Sequence, residues 1–328
     1  MYEHCFACKE PKKLTSEHII PQAIGGRLTA PLYCKECNDT FGQTIDNEIS
    51  KQFGYIGTFL NIEMERTEIQ PFVVKEISSD ISLVFDGKKF QRKNPIIEIS
   101  KTGQKVDFIN ITARNKKELK QISASMKKRY DLPEEMRTFD EIHEGPIDVT
   151  REIEIDNSLL RRAVSKIAYN FLCYKVPQSI IFSSAFENIR SYIKNGGETD
   201  LASANFIHTQ FMVDNLRPLH KIHLALNRET NILAGYILIF GIFRFTVLLS
   251  DSFISQFEWP DLDYTYDPVH RQEVLFNKNF RAPSLSKENI LHPKQPRGKI
   301  EAELIKAYNV AFYYIDNMEF SGGHLTKI

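Results

Sequence analysis

Two Cys-x-x-Cys pairs, Cys5 with Cys8 and Cys34 with Cys37, constrain the fold of this chain more than any other feature. Each pair turns two sulfurs toward one point, and two such pairs complete a tetrahedral thiolate shell of the kind that holds structural Zn²⁺ at about 2.3 Å. The segment between the pairs is then pinned at both ends, so whatever chemistry it carries is held by a metal scaffold. Of the 5 cysteines only Cys173 lies outside the pairs, in the apolar stretch 169–176. That usage argues for a reducing compartment and against a disulfide framework, so the cytoplasm is the expected location. No basic stretch leading into an apolar segment follows Met1, so no secretory signal is expected. The longest apolar run, 232–249, is broken by Gly235, Gly241 and Arg244, which predicts two buried antiparallel strands rather than a membrane span.

Charge excludes one simple class. With 42 basic and 42 acidic residues the net charge is zero, unlike a protein held to a polyanion by bulk electrostatics. The distribution is uneven. Residues 1–54 carry six basic side chains against seven acidic ones, so this segment alone repels a phosphate backbone. Between 114 and 129, however, Arg114, Lys116, Lys117, Lys120, Lys127, Lys128 and Arg129 face the single Glu118, and a second basic stretch runs through Lys278, Arg281, Lys287, Lys294, Arg297 and Lys299. If the substrate is a polyanion, these later regions hold it, with Lys116, Lys117, Lys120, Lys127 and Lys128 as its candidate contacts.

Three regions follow from the pattern: a small zinc module over 1–54, a β-rich middle over 55–150 with one basic helix and an acidic linker, and an α+β region over 151–328 with a recognition or regulatory role. In the middle region short β-rich runs at 72–77, 81–85, 96–99 and 106–111 are parted by turns such as Asp86-Gly87, which predicts an antiparallel meander. Asn115 caps a helix with Leu119, Ile122 and Met126 on one face. The stretch 131–156, with ten acids, reads as the linker. Beyond it Leu160, Ala163, Val164, Ile167, Ala168 and Phe171 recur at helical spacing, and a second helix over 184–194 ends at Asn195-Gly196-Gly197. Strands are expected at 206–213, 222–226, 234–240 and 243–249, and a closing helix at 301–315. His220 and His223 lie along one strand. Asp261, Asp263, Asp267 and His270 read as a solvated acidic loop rather than a second metal site.

Between the cysteine pairs stand Glu17-His18-Ile19-Ile20-Pro21 and Gly25-Gly26, and Asn38 follows Cys37 directly. In this order the residues resemble the HNH endonucleases, the ββα-metal group, in the zinc-knuckle form that reads CxxC, (D/E)HxxP, a Gly-Gly turn and CxxCN. The resemblance covers about the first 50 residues. It implies a small treble-clef-like ββα-metal zinc module, and with the larger region of mixed antiparallel sheet and helix read from the pattern above, the chain is expected to be α+β overall. It also implies a hydrolase that cuts phosphodiester bonds in DNA. His18 is then the general base, because a neutral imidazole accepts a proton from water at cellular pH more readily than a carboxylate does. Glu17 and Asn38 match the ligands of a single catalytic ion, and their oxygens suit Mg²⁺ or Mn²⁺. The family's middle asparagine is here Thr29, which puts in question the bracing of the loop that carries the base. Arg27, beside the Gly-Gly turn, is a candidate phosphate contact. Phe41, Ile45 and Ile49 predict a short helix that starts at Asn38.

The leading expectation is therefore a metal-dependent endonuclease acting on double-stranded DNA, in a role such as antiviral defence. Since one such site cuts one strand at a time, a homodimer is expected for double-strand breaks, and a regulatory ligand or protein partner for the appended regions. The rival expectation is a non-catalytic zinc module that binds nucleic acid or protein.

Overall fold

The computed structural model describes residues 3–62, 71–87, 89–131, 149–155, 157–212, 217–255, 259–260, 262–275 and 285–317. It divides into two compact units, one formed by 1–69 with 153–321 and the other by 70–152 with 322–328. The architecture is mixed α+β with antiparallel sheets.

The first unit opens with β1 (Glu3–His4) paired to β2 (Pro11–Lys12). The turn between them carries Cys5 and Cys8 and closes through Lys9, whose φ of +62° lets its N–H reach the Cys5 carbonyl at 2.8 Å. A second hairpin, β3 (Leu14–His18) with β4 (Thr29–Cys34), runs from Leu14 opposite Cys34 to His18 opposite Thr29. Its connection depends on glycine. Gly25 adopts φ +89°, and a Cβ on Gly26 would lie 1.9 Å from the Ile20 carbonyl oxygen, so only glycine lets the loop fold back over the end of β3. Where one short helix starting at Asn38 was expected, there are two, α1 (Lys35–Gln43) and α2 (Ile45–Phe59). The backbone breaks at Thr44 (φ −111°, ψ −86°), while Phe41, Ile45 and Ile49 are all buried as their spacing requires.

The second unit holds β5 (Phe72–Glu76), β6 (Ser82–Phe85), β7 (Phe90–Arg92), β8 (Ile96–Thr102), β9 (Lys105–Thr112), α3 (Lys116–Tyr130) and β10 (Val149–Thr150). The expected meander is instead a four-stranded sheet, β10-β5-β6-β7, and a separate hairpin, β8-β9. Phe72, Val74, Leu83 and Phe85 form the buried side of the sheet. Asn115 caps α3, its Oδ1 accepting from Glu118 N–H at 2.9 Å. On α3, Lys116, Lys117, Lys120 and Lys128 are exposed and Lys127 is half-buried. Most of the acidic linker, 132–148, lies outside the described residues, as do Lys278 and Arg281.

The first unit resumes with α4 (Ser158–Lys175), α5 (Gln178–Ile181), α6 (Glu187–Asn195), β11 (Ala202–Ala204), β12 (His220–Asn227), β13 (Ile232–Ile239), β14 (Phe243–Ser250), β15 (Leu262–Asp267), β16 (Gln272–Glu273), α7 (Lys287–Leu291) and α8 (Arg297–Asn317). Strands β11-β14-β13-β12-β15-β16 form one antiparallel sheet. Every residue of β13 and β14 is buried, because the sheet is covered on both faces. Ala234, Tyr236 and Leu238 pack with Ile290 and Leu291 of α7, whereas Gly235 faces α4, where an added Cβ would lie 3.0 Å from Ala168 Cβ. The opposite side of α4 packs on α2 and β4, so this helix is wrapped all round. Among the described residues no helix is long and apolar enough to cross a membrane.

Two strand readings are corrected. Residues 206–212 form turns rather than a strand, because Asn205 captures the chain: its Oδ1 accepts from His208 N–H at 3.1 Å and its carbonyl accepts from Thr209 Oγ1. The stretch read as an acidic loop is largely strand β15. Asp267 is fully buried at its end and accepts from Val269 N–H and His270 N–H at 3.0 Å each, and from His270 Nδ1 at 2.8 Å. Asp263 pairs with His223, and Asp261 lies outside the described residues.

Candidate active site and metal centre

The β1-β2 turn and the junction of β4 with α1 bring Cys5, Cys8, Cys34 and Cys37 together, their sulfurs all within 4.8 Å of one another. Zn–S bonds of about 2.3 Å give tetrahedral S···S edges of about 3.8 Å, and Cys8 Sγ lies 3.9 Å from Cys34 Sγ. The set fits zinc. Among the described residues it is the one group of three or more His, Cys, Asp or Glu side chains whose donor atoms converge. Its electrostatics call for a cation. Burial pushes Cys34 up to about 11, and burial together with the Cys5 charge raises Cys37. Burial also acts on Cys5, but the N–H groups of Cys34, Cys8 and Ala7 outweigh it and hold that thiol below its ordinary value. A divalent cation at the centre reverses the penalty on Cys34 and Cys37.

His18 ends β3, half-buried, and lines a cavity of about 160 Å³ together with Glu17, Pro21, Asp46, Asn47 and Ser50. Alternation along the strand turns the neighbouring Glu17 inward, where it is 7 % exposed. There its Oε1 accepts from the ammonium of Lys166, on α4, which also bonds Asp46 Oδ1 at 2.9 Å and Oδ2 at 2.7 Å. Lys166 is only 2 % exposed. One turn further along α4, Asn170 Nδ2 donates to Glu17 Oε1 and to the His18 carbonyl at 3.4 Å each, and its Oδ1 accepts from Tyr33. Burial raises the Glu17 carboxyl above its ordinary value, an effect the Lys166 charge opposes without cancelling.

Asn38 sits in the first turn of α1 with its Nδ2 donating to Thr15 Oγ1 at 3.0 Å and to the Ser16 carbonyl at 3.3 Å. The cavity thus brings Glu17 and His18 together and does not include Asn38 in its lining. Oxygen donors suited to a hard ion are present, yet as they stand Glu17 and Asn38 do not fit a shared Mg²⁺ or Mn²⁺, because the Glu17 charge is already balanced by an ammonium. Thr29, in place of the expected asparagine, is the strand partner of His18.

A larger cleft of about 570 Å³ begins at Thr29 and is lined by Arg27, Tyr264, Tyr266, Arg271 and Glu273. Burial raises the Tyr266 phenol, and the charges of both Arg27 and Arg271 oppose that rise, so the two guanidiniums approach one ring from different elements. Arg27 therefore stands beside the site, whereas Lys116, Lys117, Lys120, Lys127 and Lys128 belong to the other unit.

Sequence reasoning did not single out Lys166, Asn170, Asp46 or Arg271. Lys166 and Asn170 interrupt an apolar helical stripe four residues apart, and that spacing was the available signal, since polar groups on a buried face need partners. No curated protein and no solved structure matches the chain. Residues 5–54 match the HNH endonuclease family, and it is this segment, with its four cysteines and its Glu17-His18 pair, that carries the family likeness.

Proposed function

We propose that the chain is an endonuclease that hydrolyses phosphodiester bonds of double-stranded DNA, with His18 as general base and zinc as scaffold. The observation that carries this reading is the position of His18 at the end of a zinc-anchored strand, lining a cavity with Glu17 inside the segment that matches the HNH endonucleases. His18 takes a proton from water as the water oxygen bonds to phosphorus, the P–O bond to the leaving oxygen breaks, and solvent returns a proton to that oxygen. Strand pairing with Thr29 and the Asn170 bond to its carbonyl hold the base in place. Glu17, once released from Lys166, and Asn38 are the oxygen donors the likeness offers to a hard ion such as Mg²⁺ or Mn²⁺, which would supply charge stabilisation at the phosphate. Arg27 and Arg271 contact the backbone of the bound strand, and the α3 lysines add further phosphate contacts.

Supercoiled plasmid incubated with the protein and Mg²⁺ or Mn²⁺ should be nicked, and His18→Ala should abolish nicking while zinc content stays unchanged. Absence of cleavage with either ion, or equal cleavage by His18→Ala, would reject the proposal. The second reading, a zinc module that binds without cutting, is favoured by one observation: Glu17 is bonded to the Lys166 ammonium and Asn38 to Thr15, separate partners that are both protein groups.

A further inference from the structure

We propose that Lys166 is a resident cation of the candidate active site and that a divalent ion reaches Glu17 only by displacing it. The inference rests on the nuclease reading insofar as that reading makes Glu17 an ion ligand; the ion pairs themselves stand without it.

The place that holds the ammonium is built from several elements. Glu17 of β3 and Asp46 of α2 supply three oxygens to Lys166 Nζ, and the rings of Phe41 and Tyr33 stand 5.5 and 6.0 Å from it. These partners lie 120 and 149 residues away from Lys166 in sequence, so the helix delivers the charge from outside the family-matched segment. A buried charge persists only when paired, and one ammonium here serves two carboxylates. Both carboxylates also border the cavity that His18 lines. Mg²⁺ and Mn²⁺ are typically held by one or two carboxylates with water and phosphate completing the shell, so this pair offers an ion what it offers the lysine. The two cations cannot share it, because a dication added beside the ammonium places three positive charges against two negative ones in a poorly screened interior. Loading of a hard ion at Glu17 is then coupled to α4. Asn170, on the same helix, bonds both Glu17 and the His18 carbonyl, so the coupling reaches the strand that carries the base.

The test reads ion binding rather than cleavage. The zinc-loaded full chain and its Lys166→Met variant are titrated with Mn²⁺, with unbound Mn²⁺ followed by electron paramagnetic resonance and thermal unfolding followed in parallel. Lys166→Met should bind Mn²⁺ about tenfold more tightly than the wild type or better, and should gain an Mn²⁺-dependent rise in unfolding temperature that the wild type lacks. Both gains should vanish when Asp46→Asn or Glu17→Gln is added. Lys166→Met that folds only with Mn²⁺ present would support the proposal equally. A folded Lys166→Met with wild-type Mn²⁺ affinity would overturn it, as would a gain that survives the added substitutions. If Lys166→Met folds under neither condition, Lys166→Gln, which keeps a donor toward both carboxylates without the charge, decides by the same titration. Failure of every variant to nick plasmid sinks the nuclease reading and leaves the Mn²⁺ result to decide this one.

Discussion

His220 fastens the six-stranded sheet to the loop that follows the candidate base. Its Nδ1 accepts from Phe240 N–H at 3.2 Å, so Nε2 carries the proton and donates to the Ile24 carbonyl at 2.8 Å. Full burial lowers this imidazole to about 4. The native state therefore stays neutral while the unfolded chain takes up a proton near its ordinary value of about 6.5. The resulting stability is present above that value and is lost as pH falls toward 4, by up to about 3 kcal/mol. Urea unfolding at about pH 7.5 and about pH 5 should show wild-type stability dropping by about 2 kcal/mol more than that of His220→Gln, which does not titrate. Equal drops would show that another group sets the acid limit. The guanidiniums of the larger cleft make a separate prediction. With His18→Ala to prevent cutting, Arg27→Gln and Arg271→Gln should each reduce the salt slope of oligonucleotide binding by about one. Legibility differs sharply among these residues. The Glu17-His18 pair and the cysteines are local in sequence and could be read directly, and so could Arg27. Lys166 bonds partners 120 and 149 positions away and Arg271 shares its cleft with the distant Arg27, and no spacing rule reaches that far.

A four-cysteine cluster that fits zinc and a glycine turn close the two ends of the hairpin that carries the site. The β3-β4 hairpin is short, and its ends are held by the Cys34 N–H bonded to Cys5 Sγ at 3.3 Å and by the Gly25-Gly26 turn. Cys34 is at once the last residue of β4 and the N-cap of α1, so it aims the helix that bears Cys37 and Asn38. Cys34→Ser should lose bound zinc and protection of the hairpin amides in hydrogen exchange, since the metal's binding energy is largely folding energy here. Retained zinc would show that three sulfurs suffice. Gly26→Ala should cost several kcal/mol, because its methyl group meets backbone rather than a side chain that can yield. Elements with strong periodicity were legible: α4 from its apolar stripe, and β12 to β14 from β-rich runs with turn residues between them. The missed ones share a cause. Asn205 and Asp267 spend their side chains on neighbouring backbone groups, which turned an expected strand into a turn and an expected loop into a strand end.

What no local pattern could give is that residues 3–62 and the chain after 153 bury one another. Phe53 stacks on Phe243 at 4.3 Å, Tyr55 and Tyr308 share a hydroxyl bond of 2.6 Å, and Asn157 Nδ2 donates to Glu48 at 2.9 Å. Ile45, Ile49 and Phe53 are fully buried on α2, and each contributes about 1.5–3 kcal/mol by leaving water. Part of that burial comes from residues beyond the family-matched segment, since α2 packs on α4 and Phe53 on Phe243. A fragment of residues 1–62 supplied with zinc should therefore bind the metal yet show no cooperative thermal transition. The full chain with 70–152 replaced by a flexible Gly-Ser linker should keep both zinc and a cooperative transition, because the excised residues belong to a unit with its own apolar side built on Phe72 and Phe85. Calorimetry on the two proteins separates the cases. A cooperative 1–62 fragment would mean that the cysteine knuckles alone specify the module. The Glu17-Lys166 pair would then be an addition to a finished fold, rather than part of how the site is held.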